Sequence, residues 1–233
     1  MAQRPVFCPI DVVPYSEEKR TEFTFYSGFS ISQALRSIDS LHEAFSLKNG
    51  IPREDILEVS SYSSISLGVQ LSAFNLQYTF ENGEVYPLES VFQSSKCFSN
   101  GKRYGDILYL QAHDAKRDPR LKNSGDIVGF ELEGEKFPNE PKTLLYDWLY
   151  IRALSQHKGL SEEIMKYCAF TDIAFNPLKS INCQARSAAK FVALKRGGLV
   201  EKVLTDRNYF LQIVYGEKTQ KPIAEQKQMS MFE

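Results

Sequence analysis

The chain has 233 residues, of which 42% are apolar and 24% charged, with a formal net charge of −1. This length suffices for one sizeable core, and the near-neutral charge argues against a protein that grips long duplex DNA mainly through its phosphates. No apolar run is long enough to cross a bilayer, and the four cysteines and three histidines are scattered without metal-ligand spacing. We therefore expect a cytoplasmic protein with no metal, no cofactor and no membrane association.

The N-terminal half is predicted to contain two helices and a hairpin. The first thirty residues are expected to be irregular, with strand-like character around Thr21 to Tyr26. From Ser30 onward, apolar residues recur with the 3.6-residue period of a helix, which Gly50 ends. Short extended runs between residues 56 and 80 precede Asn82-Gly83, which predicts a hairpin turn. The second helix then begins at Pro87.

The C-terminal half is predicted to be helical. Residues 101–134 are rich in charge, glycine and aspartate, and we expect short helices and loops there beside a cleft. Longer helices are expected at residues 141–154, 161–170, 180–196 and 200–214. The sequence therefore predicts a mainly α fold with a small β-hairpin element, in which residues 1–215 form a single domain. Residues 216–233 are polar and aperiodic, and we expect them to form a disordered tail.

The most informative segment follows the hairpin and opens a helix. Pro87 suits a first helical position, so Glu89 falls in the first turn, where unpaired backbone N–H groups favour a carboxylate. Gln93 lies four and Lys96 seven residues beyond Glu89, which places the three side chains on one helix face. A carboxylate, an amide and an amine on one stripe can perform acid–base chemistry beside a ligand. The same pattern is also typical of an ordinary solvated helix.

The spacing Glu89-x3-Gln93-x2-Lys96 resembles the signature helix of the NADAR family, also called YbiA-like. Three further segments resemble the family in the same order: Leu71-Ser72-Ala73-Phe74-Asn75, Ala115-Lys116, and residues 171–182. The N-terminal part resembles the branch of antitoxins that are paired with DNA-modifying ADP-ribosyltransferase toxins. The chain departs from the family pattern where Ala174-Phe175-Asn176-Pro177 replaces the usual Trp-Gly-x-Gly.

The resemblance implies a mainly helical fold and cleavage of an N-glycosidic bond to a ribose. For the antitoxin branch it implies removal of ADP-ribose from modified guanine in DNA. The expected partners are then ADP-ribosylated DNA or guanosine nucleotides, with the cognate ADP-ribosyltransferase toxin as a genetic partner. Two alternatives remain open: an N-glycosidase for phosphorylated ribosylamino-pyrimidines of riboflavin synthesis, and a non-catalytic module that binds ADP-ribose or the toxin.

Three residues are catalytic candidates. Breaking a ribose–nitrogen bond builds positive charge at the anomeric carbon, and Glu89 is our candidate for stabilising that charge. Asp172 is a second acidic candidate, with a local Asx turn as the alternative. Lys96 has two alternative roles: an ammonium that fixes Glu89 or a phosphate, or a nucleophile that forms a Schiff base with an opened ribose.

Substrate binding is assigned to eight residues: Ser72, Phe74, Asn75, Gln93, Lys116, Trp148, Asn176 and Asn182. Phe74 and Trp148 are candidates for stacking on a base, although the helical stripe around Trp148 also fits core packing. The amide of Gln93 suits a ribose hydroxyl, the shorter asparagine amides suit phosphates or base edges, and Lys116 suits a diphosphate.

The C-terminal segment Gln228-Met229-Ser230-Met231-Phe232 resembles the peptide by which bacterial DNA enzymes bind the replicative sliding clamp. At the tip of a tail such a motif is accessible, and tethering raises the effective concentration at DNA. The alternative is chance in a short terminus rich in glutamine and methionine. The sliding clamp is therefore a candidate partner through Gln228–Phe232.

Overall fold

The computed structural model describes residues 1–28 and 30–216. In these residues the fold is mixed α/β, 45% helical and 19% strand, with three sheets. The prediction of a mainly α fold with one small β-hairpin is therefore wrong. The clamp-like motif Gln228–Phe232 lies outside the described residues, as does nearly all of the tail expected at 216–233, so both stay predictions.

Strands and helices alternate irregularly along the chain. The strands are β1 (Ala2–Pro9), β2 (Ser16–Phe23), β3 (Ile56–Glu58), β4 (Gln77–Thr79), β5 (Val85–Pro87), β6 (Lys96–Phe98), β7 (Ile127–Leu132), β8 (Glu135–Pro138) and β9 (Ala169–Thr171). The helices are α1 (Ile31–Asn49), α2 (Ser66–Gln70), α3 (Leu88–Ser94), α4 (Ala112–Arg117), α5 (Leu144–Ser155), α6 (Lys158–Glu163), α7 (Gln184–Arg196), α8 (Val200–Thr205) and α9 (Arg207–Tyr215). No helix in the described part of the chain has the length and apolar character needed to span a membrane.

The largest sheet contains the N-terminal segment that was expected to be irregular. Its strand order is β2-β1-β9-β3, with β9 parallel to β3 and the other pairs antiparallel. β1 and β2 pair along their full length, from Ala2 opposite Phe23 to Pro9 opposite Ser16. The strand-like character expected from Thr21 onward corresponds to the end of β2. The earlier part of β2 is charged and largely exposed, so its apolar pattern is too sparse to predict a strand.

Helix α1 packs on this sheet and has the two ends that the sequence predicts. The Ser30 hydroxyl accepts a hydrogen bond from the Gln33 N–H at 3.3 Å, which caps the first turn. Gly50 ends the helix in the left-handed conformation, with φ of 66°, and its N–H donates to the Ser46 carbonyl. The buried face of α1 carries Leu41, which is fully buried. Full burial of a leucine side chain contributes about 1.5–3 kcal/mol to the stability of the fold.

Helix α5 is the centre of the main core. Ten of its twelve residues are buried, which is the pattern of a helix enclosed on every side. It contacts α3, α7 and α8, and the hairpin of β4 and β5 lies against it. The turn of that hairpin contains Gly83, with φ of 87°, as Asn82-Gly83 predicts.

A buried carboxylate ties α5 to the C-terminal helices. Asp147 is fully buried and accepts hydrogen bonds from four side chains: Thr143 at 3.0 Å, Ser187 at 2.5 Å, Lys190 at 2.7 Å and Tyr215 at 2.7 Å. Burial alone would raise the pKa of Asp147, but the nearby cations and the hydrogen bonds lower it to about 2. These five side chains, which we call the Asp147 cluster, hold α5, α7 and α9 together.

Three helical predictions differ from the structure. Residues 101–134 contain α4 but also β7, which pairs with β6 and β8 in a sheet that the sequence did not predict. The helix expected at 161–170 ends at Glu163 as α6, because the chain re-enters the large sheet as β9. The last helix is divided at Asp206, whose carboxylate caps α9 by accepting from the N–H groups of Asn208 and Tyr209.

Candidate active site

A cleft of about 360 Å³ opens beside α3, α4 and α5, where the loop between β9 and α7 forms one wall. This volume lies in the range of small-molecule sites, about 300–1,000 Å³. Six of the residues predicted from the sequence border it: Phe74, Glu89, Lys116, Asp172, Asn176 and Asn182. The cleft therefore brings together residues that are about 110 positions apart in the chain.

Glu89 lies at the start of α3 and is buried, with 4% of its surface exposed. The N–H of Glu89 donates to the Ala73 carbonyl at 2.9 Å, and the N–H of Leu88 donates to the Leu76 carbonyl at 2.8 Å. The prediction of unpaired N–H groups around Glu89 is therefore wrong for these two positions. The pairing instead fixes α3 against the segment that carries Phe74.

Lys96 does not share a helix face with Glu89, because α3 ends at Ser94 and Lys96 is the first residue of β6. The Gln93 side chain nevertheless connects the two. Lys96 Nζ donates to Gln93 Oε1 at 2.5 Å, and Gln93 Nε2 donates to Glu89 Oε1 at 2.7 Å. Because an amide has one accepting and one donating end, the bond from Lys96 sets the orientation in which Gln93 donates to Glu89.

The environment of Lys96 increases the fraction of its neutral amine. Burial lowers the pKa of Lys96 to about 8, Glu89 acts in the opposite direction, and Lys116 adds to the lowering. Lys96 Nζ also lies 5.1 Å from the centroid of the Phe92 ring. A fraction of neutral amine near physiological pH is the state that a nucleophilic lysine requires.

Asp172 borders the cleft and also makes the Asx turn that was its alternative. Its Oδ1 accepts from the N–H groups of Ala174 and Phe175, both at 3.1 Å. Burial raises the pKa of Asp172 to about 7, Glu58 adds to the rise, and Lys116 opposes it. Asp172 thus exchanges a proton near neutral pH, which is the property of a general acid or base.

A chain of buried side chains lies behind Asp172, and the sequence did not predict it. Glu58 accepts hydrogen bonds from the Thr171 hydroxyl at 2.6 Å and from the Ile173 N–H at 2.8 Å. Because the Thr171 hydroxyl donates to Glu58, its oxygen accepts from His42 Nε2 at 2.8 Å. Burial lowers the pKa of His42 to about 4, so this imidazole is neutral at physiological pH. The chain connects α1 to the residues on both sides of Asp172.

Phe74 borders the cleft with one face of its ring covered. The His113 ring stacks on it with centroids 4.2 Å apart and planes inclined by 17°, and Lys116 Nζ lies 5.0 Å from the Phe74 centroid. The neighbouring Ala73 N–H donates to Gln184 Oε1 at 2.7 Å, which fixes this segment against α7. Phe74 therefore has at most one face available for a base.

Four predicted binding residues do not border the cleft: Gln93, described above, and Ser72, Asn75 and Trp148. Ser72 is fully buried and donates to the Val69 carbonyl, and Asn75 Nδ2 donates to the same carbonyl and to Ser72 Oγ, so both shape a turn. Trp148 packs in the core against Phe137, with centroids 5.3 Å apart. Core packing was the alternative interpretation of Trp148 from its helical stripe.

Tyr146 and Gln184 border the cleft without having been predicted as site residues. Tyr146 lies in the stripe of α5, where the periodicity indicates only a core position. Burial raises the pKa of Tyr146 well above its ordinary value, and Glu89 adds to the rise. Within residues 1–28 and 30–216, no three histidine, cysteine, aspartate or glutamate side chains are grouped so that they could hold a metal ion.

Comparison with known proteins identifies the family of the chain. Among curated proteins, none matches the chain. The family described as "DarT1-associated NADAR antitoxin" matches residues 2–224, which is nearly the whole sequence. This match confirms the resemblance to the NADAR family and to its antitoxin branch. The chain therefore belongs to the family of DarT1-associated NADAR antitoxins.

Proposed function

We propose that this protein is an N-glycosidase that removes ADP-ribose from ADP-ribosylated guanine in DNA and so reverses the action of its toxin partner. The observation that carries the proposal is the buried carboxylate of Glu89 in a ligand-sized cleft, connected through Gln93 to Lys96. Membership in an antitoxin family supports the biological role.

Glu89 is proposed to stabilise the transition state. As the bond between ribose C1 and the guanine nitrogen breaks, positive charge develops at C1, and a buried carboxylate beside C1 stabilises that charge. The bond from Gln93 holds the Glu89 carboxylate in place without neutralising it. Glu89 can also orient the water that attacks C1.

Asp172 is proposed to supply the proton for the leaving guanine. Its pKa of about 7 keeps a large fraction of the carboxyl protonated near neutral pH, whereas an ordinary aspartate would be ionised. Because Asp172 and Glu89 border the same cleft, the two carboxyl groups can take separate roles in one reaction.

Lys96 retains two alternative roles in this scheme. As an ammonium it orients Gln93 and thereby Glu89. As a neutral amine it attacks C1 of an opened ribose: the bond from C1 to Lys96 Nζ forms, the bond from C1 to the guanine nitrogen breaks, and the two amine protons pass to that nitrogen. Water then hydrolyses the imine, which releases ADP-ribose and restores the Lys96 amine. The lowered pKa of Lys96 supports the second role, whereas its hydrogen bond to Gln93 supports the first.

The decisive experiment incubates the purified protein with an oligonucleotide that contains ADP-ribosylated guanine and measures free ADP-ribose. We expect release by the natural protein and by Glu54→Gln, a charge-matched control at a position that does not border the cleft. Glu89→Gln should release little. Absence of release by the natural protein would contradict the proposal.

A parallel experiment in cells separates catalysis from binding. Co-expression with the toxin should be tolerated with the natural protein and with Glu54→Gln, but not with Glu89→Gln. If Glu89→Gln protects fully, protection comes from binding of ADP-ribose or of the toxin. Release of base from phosphorylated ribosylamino-pyrimidines instead of DNA would favour the riboflavin-related alternative.

A further inference from the structure

Glu58, the last residue of β3, is a buried carboxylate that the proposed catalytic steps do not use. It is 2% exposed and accepts three hydrogen bonds, from the Ser60 and Thr171 hydroxyls, both at 2.6 Å, and from the Ile173 N–H at 2.8 Å. All three donors are neutral, whereas Asp147 is also paired with a buried lysine. Because burying a charge without a counter-charge costs free energy, the presence of this carboxylate indicates a role beyond packing.

Two of the three donors lie on either side of Asp172. Thr171 is directly opposite Glu58 in the parallel pairing of β9 with β3, and Ile173 follows Asp172. Glu58 therefore holds the backbone on both sides of a residue that borders the cleft. Asp172 Oδ1 accepts from two N–H groups of the loop that follows, and Oδ2 has no hydrogen-bond partner among residues 1–28 and 30–216. Oδ2 is thus the oxygen left to exchange a proton with a ligand.

The hydrogen bonds also determine which of the two acids carries a proton. Burial raises the pKa of Glu58 and of Asp172, and the charge of Glu58 adds to the rise at Asp172, so the state in which both are ionised is disfavoured. Glu58 accepts three hydrogen bonds, which reach both of its oxygens, whereas Asp172 accepts two, both at Oδ1. Hydrogen bonds to a carboxylate stabilise its ionised form. A single proton on this pair therefore lies on Asp172.

Several other ionisable groups surround Asp172. Lys116 of α4 borders the cleft and opposes the protonation of Asp172, and Lys179 borders it from the loop after β9. Glu89 borders it from α3. Burial raises the pKa of three neighbours well above their ordinary values, so they are neutral near pH 7: Tyr146, Tyr150 and Cys183. Glu58 acts on Asp172 from behind the cleft, which it does not border.

We propose that Glu58 is the positioning residue of Asp172: it holds the Asp172 carboxyl at the cleft through Thr171 and Ile173, and its negative charge keeps a proton on Asp172. This inference rests on the proposed function, in which Asp172 is the acid. An acid that protonates the leaving guanine must hold its proton until the bond breaks, and it must regain a proton before the next turnover. The charge of Glu58 favours both, although Glu58 itself does not contact the substrate.

The tautomer of His42 tests the charge of Glu58 without any variant. An ionised Glu58 accepts the Thr171 hydroxyl proton, so Thr171 Oγ1 accepts from His42 and the hydrogen of the imidazole lies on Nε2. Because burial lowers the pKa of His42 to about 4, the ring is neutral at pH 7 and Nδ1 carries no hydrogen. ¹⁵N NMR at pH 7 should show this tautomer. A neutral ring with its hydrogen on Nδ1 would mean that Glu58 holds the proton, and it would overturn the proposal.

Glu58→Gln removes the charge while it preserves the hydrogen bonds. The amide oxygen can accept from Ser60 and from the Ile173 N–H, as Glu58 Oε1 does. The amide N–H then donates to Thr171 Oγ1, whose hydroxyl turns to donate to His42 Nε2. We therefore expect this variant to fold, with the hydrogen of His42 moved to Nδ1.

The titration of Asp172, followed by ¹³C NMR of its carboxyl carbon, then measures the effect of Glu58. In Glu58→Gln the proton affinity of Asp172 should fall about tenfold or more, which moves the titration midpoint from about 7 to about 6 or below. Glu54→Gln removes a glutamate at an exposed position and should not move the midpoint. An unchanged midpoint in Glu58→Gln would overturn the proposal.

Turnover distinguishes this inference from the proposed function. Release of ADP-ribose by the natural protein should fall as pH rises through about 7, because Asp172 loses its proton. In Glu58→Gln this fall should begin at a lower pH, a displacement that a merely structural role would not produce. If the natural protein is active and Glu58→Gln keeps both the midpoint and the pH profile, the role of Glu58 is wrong and the glycosidase remains. If the midpoint moves but the natural protein releases no ADP-ribose, the glycosidase is wrong and the control of Asp172 by Glu58 remains.

Discussion

The Asp147 cluster and the cleft contain buried carboxylates in opposite electrostatic states. Asp147 accepts four side-chain hydrogen bonds, one of them from a buried lysine, and its pKa falls to about 2. In the cleft, burial and Glu58 raise the pKa of Asp172 to about 7. The same residue type is therefore permanently charged at one place and exchanges a proton near neutral pH at the other.

The difference shows how to separate structural from functional acids. A carboxylate whose acceptor capacity is filled by the protein holds helices together and has little capacity left for a ligand. A carboxylate that is buried at the border of an open cavity, as Glu89 and Asp172 are, can direct its remaining capacity at a substrate. Stability and activity should therefore respond to different substitutions.

The largest effect is expected in the Asp147 cluster. Asp147→Ala would leave Lys190 buried without its counter-charge and should lower the free energy of unfolding by about 3–5 kcal/mol. Urea denaturation measures this effect. Asp11→Ala, at an exposed position between β1 and β2, should change it by less than about 0.5 kcal/mol. If Asp147→Ala is as stable as the natural protein, Asp147 is not a structural acid and the comparison with the cleft fails.

Glu89→Gln should have the opposite effects, with a large loss of activity and a small loss of stability. We expect kcat for release of ADP-ribose to fall about 10²- to 10³-fold, because an amide does not stabilise the positive charge at C1. The free energy of unfolding should fall little, since the substitution preserves shape and removes a buried charge. Steady-state kinetics and urea denaturation of the same preparation test both parts. A large loss of stability would mean that Glu89 belongs with the structural acids.

Lys96→Arg tests whether Lys96 acts as a nucleophile, in contrast to the buried Lys190, which pairs with Asp147. Arginine keeps the positive charge but cannot form an imine, so we expect kcat to fall about 10²-fold or more. Treatment of the natural protein with borohydride during turnover should leave a stable adduct on Lys96, detected by mass spectrometry. Near-normal turnover of Lys96→Arg without an adduct would favour the ammonium role.

Asp147 and Asp172 should affect stability in opposite directions as pH changes. The stabilisation from Asp147 is present above its unfolded pKa of 3.8 and is lost as pH falls towards 2. Asp172 has a folded pKa above its unfolded value of 3.8, so its contribution is most favourable at low pH and is lost as pH rises through about 7.

Denaturation across this pH range can detect the contribution of Asp172. Asp172→Asn should become more stable relative to the natural protein as pH rises from about 4 to 8. His42, whose lowered pKa also makes stability depend on pH, is present in both proteins. Its contribution therefore largely cancels in the difference between their free energies of unfolding. A difference that does not vary with pH would show that Asp172 titrates near its ordinary pKa.

The smallest effect is expected from salt. With a net charge of −1 and few lysines at the cleft, cleavage should depend weakly on ionic strength, with a log–log slope of about −2 or shallower. Lys116→Gln should reduce that slope by about one if Lys116 contacts a phosphate. A slope as steep as that of a repressor would contradict binding through the adduct.

Local chemistry made some elements predictable from the sequence. The ends of α1 follow from the Ser30 cap and from Gly50. The hairpin turn follows from Asn82-Gly83, because glycine readily adopts the positive φ that this turn requires. The position of Glu89 in a first helical turn follows from Pro87. These features depend on interactions within a few residues, which a single sequence contains.

The parts that could not be predicted depend on long-range pairing. β3, β6 and β9 have three residues each, too few to show an alternation, and they exist because other strands lie beside them. The carboxyl of Glu58 affects Asp172 across 114 positions, and no local pattern indicates that contact. The sequence therefore predicted the ends of α1 and the hairpin turn, but not the sheets or the buried contact between Glu58 and Asp172.

The amide of Gln93 has an evolutionary consequence. Its two ends are not interchangeable, so the lysine must stay on the accepting side and the glutamate on the donating side. Glutamate at position 93 would place a second carboxyl group beside Glu89. Leucine at position 93 would break the hydrogen-bonded connection between Glu89 and the Lys96 amine. Natural variation at positions 89, 93 and 96 should therefore be correlated. Relatives that lack one of the three residues should lack all three, and they should also lack the proposed glycosidase activity.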